Sequence, residues 1–187
     1  MRTIPWVDIR FVDSDDYRIA THISENPGVV SDLVLLEPAL LERASLTALR
    51  ELRSRYAIAA SLLLTEGDPI VGVKQFLDLI SPNRSRHHRI EHVTVQRLAS
   101  RSGGLAYTLM AINQAAQQID RMGLIDQAPR TLSLVGSKNV DDAHAFHHML
   151  AASKDIWFYR SVSGVDHAMP CQKPGVCAQF ICEHFGG

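Results

Sequence analysis

His167 stands in the run Gly164-Val165-Asp166-His167-Ala168-Met169-Pro170, a short loop behind the apolar and aromatic segment Ile156-Trp157-Phe158-Tyr159. A histidine in a loop at the C-terminal end of a strand sits where α/β sheets bind ligands. It is the leading functional candidate of the chain. Three more histidines, His144, His147 and His148, share one helical stretch, and the i, i+4 pair His144 and His148 has the spacing of a metal-chelating face. No carboxylate lies between them in the required role, so they are expected on an exposed helix face, with no metal or cofactor. Ser14 lies in the acidic run Asp13-Ser14-Asp15-Asp16, where a helix N-cap is one reading of it. Asp141 and Asp142 suit the first turn of a helix, where the macrodipole favours negative charge.

The bulk composition narrows the classes. With 187 residues and 46% hydrophobic content, the chain is long enough for one sizeable core and short for two domains. Nineteen basic and 20 acidic residues spread along it give a net charge of -1, and hence no general reason to bind nucleic acid or an anionic membrane. The dense basic run Arg84-Ser85-Arg86-His87-His88-Arg89 lacks accompanying aromatic or glycine-rich segments, so a solvated loop or helix end is expected there. No stretch approaches the about 20 apolar residues of a membrane span, and the first residues carry no signal-peptide pattern. A cytoplasmic protein is expected. Cys171, Cys177 and Cys182 are odd in number and match no zinc spacing, which fits reduced thiols.

Elements to position these groups follow from periodicity. Leu33–Leu36, Thr131–Val135 and Ile156–Tyr159 are short β-branched or aromatic runs ending at loop signals, and Val7–Val12 is a weaker fourth strand. Leu49, Leu52, Tyr56, Ala59 and Leu63 recur at helical spacing. Asp68-Pro69 starts a second helix with a cap and a proline at its first position, and Leu105 to Ile119 forms another. Further helices begin at Asp141 and after Pro174. The expectation is one α/β domain over residues 1–187. It has a mainly parallel sheet of about four strands, flanking helices, and a helical insertion at about 39–128.

Three segments in this order resemble the second half of an α/β hydrolase. Asn26 to Pro38 is similar to the helix end and sixth strand that follow the nucleophile helix. Thr131 to Asn139, with its Leu-Val-Gly-Ser-Lys-Asn run, is similar to the seventh strand and its acid-bearing turn, and Gly164 to Pro170 to the histidine loop after the eighth. The resemblance implies that the helical insertion is the family's cap, that His167 is the catalytic histidine, and that Ser14 stands at the nucleophile position. It puts Asn139 at the usual place of the acid, with Asp141 and Asp142 close by as substitutes. Glu37 falls where some members keep their acid instead.

The pattern departs from the family at the nucleophile, where glycines permit a strained turn and open an oxyanion hole. Val12 and Asp16 stand at those glycine positions, and no counterpart of the first four strands is present. The resemblance therefore implies a truncated hydrolase of an ester, amide or carbon–carbon bond, acting on a small molecule, with weak or lost activity. The alternative is a non-catalytic interaction or ligand-binding module derived from one. A receiver-like signalling domain is excluded, because the strand after the acidic run ends in Glu37 in place of a phosphorylatable aspartate. Val7, Ile9 and Phe11 alternate with Asp8 and Arg10, the pattern of a strand with one solvated face, and a homodimer covering that edge is expected.

Overall fold

The computed structural model describes residues 29–65 and 67–186. Three strands, β1 (Asp32–Leu36), β2 (Arg130–Gly136) and β3 (Trp157–Val162), form a parallel sheet in the order β1-β2-β3. The register sets Leu33 beside Thr131 and Thr131 beside Trp157. β2 is central and buried from Thr131 onward, which explains its near-continuous apolar run. Among the described strands β3 lies at an edge, and it runs past Tyr159 through the exposed Arg160 and Ser161 to Val162. Three strands are described where about four were expected; Val7–Val12 lies outside the described residues.

Helices occupy both faces of the sheet. β2 leads into α6 (Asp141–Ser153), which returns to β3, and after β3 a short α7 (Met169–Gln172) precedes α8 (Pro174–Gly186). Alternation along β2 separates the two faces. Leu132 and Leu134 pack with Val162, Val165, Met169 and Cys177, and Phe180 and Ile181 of α8 close that side. Across the sheet, Phe146 and Leu150 of α6 pack with Trp157, Leu41 and Ile125.

Between β1 and β2 the chain builds a second core from helices. α1 (Leu46–Leu64), α2 (Pro69–Ile80), α3 (His88–Ala99) and α4 (Ser102–Gln118) pack around Leu52, Tyr56, Leu63, Val73, Phe76 and Leu109. A short α5 (Arg121–Gln127) then leads back to β2. Local capping fixes the starts: Ser45 Oγ accepts from Ala48 N at 3.3 Å, and Asp68 Oδ1 from Ile70 N at 2.9 Å with Pro69 in the first turn. Gly72 sits where α1 and α2 cross; a Cβ there would lie 3.0 Å from the Leu63 side chain and 3.1 Å from the Ala59 carbonyl oxygen. Arg50 of α1 donates to the carbonyls of Ala116 and Gln117, which a helix end otherwise leaves unpaired.

Candidate functional site

The C-terminal edge of the sheet gathers three loops. After β1 the backbone turns at Glu37, whose φ of 51° lies in the left-handed region that side chains other than glycine rarely adopt. Its own N–H still donates to Leu134 O at 3.0 Å, so the turn begins while the chain is on the sheet ladder. That turn carries the Glu37 side chain inward. The buried carboxylate accepts from the Gly136 N–H at Oε1, 2.5 Å, and from Asn139 Nδ2 at Oε2, 2.6 Å.

β2 ends against the histidine loop. At Gly136 a Cβ would stand 2.7 Å from the carbonyl oxygens of Val165 and Asp166 and 3.0 Å from Glu37 Oε1, so only glycine fits. The turn after β2 is bonded to the same loop, with Lys138 N donating to Val165 O at 2.9 Å and Gly164 N to Ser137 Oγ at 2.8 Å. Gly164 takes a φ of 76°. Asp166 is buried and organises the loop from within: its Oδ1 accepts from Ala168 N and from Gln172 Nε2, both at 2.9 Å.

These constraints leave His167 half-buried, with Nδ1 3.7 Å from Glu37 Oε2. That separation exceeds a hydrogen bond, and Nδ1 is buried without another partner among the described residues. A buried carboxylate beside one ring nitrogen is an arrangement that orients an imidazole. Asn139, at the place where the resemblance puts the acid, supplies an amide that fixes Glu37. Asp141 and Asp142 lie exposed at the start of α6; Asp142 Oδ2 is 3.8 Å from Arg43 Nε, and no hydrogen bond or ion pair joins either residue to His167. Ser14 lies outside the described residues.

The histidines of α6 were expected on an exposed helix face, but His147 is buried against the sheet and His144 half-buried, leaving His148 exposed. All three surround Tyr159: His144 Nδ1 is 2.5 Å from its hydroxyl, His147 stacks on the ring at 5.8 Å, and His148 meets it edge-on at 4.7 Å. Among the described residues no group of three His, Cys, Asp or Glu side chains could hold a metal ion. In the basic run, Arg84 bonds Asp78 and Glu91, each at 2.8 Å, and Arg86 bonds Asp78 at 3.0 Å. A cleft of about 440 Å³ opens there between α2 and α3, and none of its lining residues belongs to the Glu37–His167 cluster. Cys171, Cys177 and Cys182 are free thiols.

Two buried charges at the same edge escape a reading by motif. Arg53 of α1 is fully buried and ion-paired with buried Glu42 at 2.6 Å. The signal was present in the spacing, since Arg53 follows Leu49 by four residues on the apolar stripe of its helix. No helix among the described residues is long and apolar enough to cross a membrane. Comparisons with family models, curated proteins and solved structures found no match to this chain.

Proposed function

We propose that the chain is an α/β-hydrolase-like protein, a hydrolase of an ester, amide or carbon–carbon bond with weak or lost activity. One observation carries the reading: the buried Glu37 carboxylate and the half-buried His167 ring meet 3.7 Å apart at the C-terminal edge of a parallel sheet. In this scheme Glu37 holds the ring through Nδ1, leaving Nε2 to take the proton of the Ser14 hydroxyl as its oxygen attacks the substrate carbonyl. The proton then passes to the leaving group, and water releases the acyl group by the reverse transfer. The helices between β1 and β2 would be the cap over this edge. Residues 7–12 would add the fourth strand, its free side covered in a cytoplasmic homodimer. A stable monomer in sedimentation at micromolar concentration would rule that dimer out.

A second reading, a ligand-binding or interaction module without catalysis, has its own support. Both Glu37 oxygens are already engaged by Gly136 and Asn139, and His167 stands beyond hydrogen-bond reach. The missing glycines around Ser14, where Val12 and Asp16 stand, and the missing counterpart of the family's first four strands would each also remove oxyanion donors, typically worth about 10²–10³ in rate. Labelling with a fluorophosphonate separates the two. The enzyme reading expects stoichiometric modification of Ser14, absent from Ser14→Ala, with turnover of activated esters far below that of a competent esterase. No labelling at Ser14 would leave the module.

A further inference from the structure

Arg53 is the most deeply buried charge described, and its attachments run out of the helical core towards the site. One guanidinium nitrogen, Nη2, donates both to Glu42 Oε2, at 2.6 Å, and to the carbonyl of Ala39. The group lies 4.5 Å over the Tyr56 ring, so helix and ring fix its position. Ala39 opens the single 3₁₀ turn Ala39–Leu41, which follows Glu37-Pro38 directly. The Pro38 backbone is held at φ -66°. A donor on Ala39 therefore acts two residues from the left-handed turn that aims Glu37, across a stiff link.

The pair is poorly explained as a stabilising device. Glu42 Oε1 and Arg53 Nε are buried and lack partners among the described residues. Burial raises the Glu42 pKa against the attraction of Arg53, His167 and Arg43. A buried ion pair left partly unsatisfied gains little over apolar residues of the same volume; what it offers in exchange is a fixed geometry. The geometry fixed here is that of residues 37–42.

We propose that Arg53 and Glu42 are positioning residues, a latch through which the helices between β1 and β2 hold the Glu37 carboxylate against His167. The inference rests on the reading of Glu37 and His167 as a functional pair. It makes the helical layer part of the site's support as well as a neighbour of it. A displacement of α1 would be transmitted through one guanidinium to the acid.

The test uses the full chain and ¹⁵N NMR of the His167 ring, which reports the tautomer of the neutral imidazole. In the natural sequence the Nδ1–H tautomer, with its hydrogen facing the Glu37 carboxylate 3.7 Å away, should predominate, and Glu37→Gln should weaken that preference. The double variant Arg53→Met with Glu42→Leu removes both charges at similar volume. It should fold yet lose the Nδ1–H preference by about tenfold, the scale of one lost interaction with a nearby charge. Arg53→Lys, whose ammonium ends short of the guanidinium nitrogen, should show the same loss and serves if the double variant does not fold. Folded variants that keep the natural tautomer ratio would overturn the latch alone. An Nε2–H ring in the unaltered protein would overturn the Glu37–His167 reading, and the latch with it.

Discussion

His147 and His167 are both held against the sheet, one by α6 across its middle and the other by the loop at its C-terminal edge, and each lies near a polar group that invites a catalytic reading. His147 Nδ1 is 3.0 Å from Ser133 Oγ, the better geometry of the two. Yet Ser133 is fully enclosed, and its hydroxyl also accepts from Trp157 Nε1 at 3.1 Å. Burial lowers the pKa of this ring to about 4, which keeps it neutral at ordinary pH. His167 has looser geometry, a carboxylate partner and an open face. The two rings differ in access and in the charge of the partner, and hydrogen-bond length alone would rank the enclosed ring first.

That contrast can be broken at its charged end most severely. Arg53→Met, made alone, strands the Glu42 carboxylate in the interior and should cost about 3–5 kcal/mol. Urea unfolding should show this loss, and Glu42→Leu added to it should recover most of the stability. Equal losses in the single and double variants would mean that the charges matter less than the packing around Tyr56.

At the neutral end the sensitivity is to acid. The His147 pKa in the fold is about 4, against roughly 6.5 in an unfolded chain, so between those values the unfolded chain binds more protons. Stability is therefore complete above about pH 6.5 and is lost as pH falls towards 4, by a total of about 3 kcal/mol from this ring. His147→Leu should flatten that part of the pH–stability curve. A curve as steep as that of the natural sequence would place the acid sensitivity elsewhere. The smallest effect is expected from Gly136→Ala. Its methyl group would press on two backbone carbonyls of the histidine loop at 2.7 Å, at an overpacking cost of about 1–3 kcal/mol. An unchanged urea midpoint would show that the loop yields freely.

The sequence made the sheet's middle easiest to read. Thr131–Val135 and Leu33–Leu36 are apolar runs ended by loop signals, and both lie within β2 and β1. β3 runs further than its apolar segment because, at the edge of the described sheet, Arg160 and Ser161 are exposed on its two faces. α3 opens inside the basic run Arg84–Arg89, whose charges obscure its start, although Val95, Leu98 and Ala99 pack on the helical core. α5 is too short to show a period. Within the site, His167 was visible from its loop, whereas Glu37 entered only through the hydrolase resemblance. Proximity in the chain favours Asp141 and Asp142 as partners of the β2 turn, but the α6 N-terminus carries them outward. The left-handed backbone that turns Glu37 inward has no sequence signal at a glutamate.

The rate at which diethyl pyrocarbonate acylates His167 at pH 8, followed by mass spectrometry, reports directly which carboxylate serves that ring. A carboxylate beside Nδ1 favours the proton on that nitrogen and leaves the opposite nitrogen free as the nucleophile. Glu37→Gln should therefore slow the modification of His167 several-fold, while Asp141→Asn and Asp142→Asn leave it unchanged. An unchanged rate in Glu37→Gln, or a larger effect from either aspartate, would contradict the pairing of Glu37 with His167.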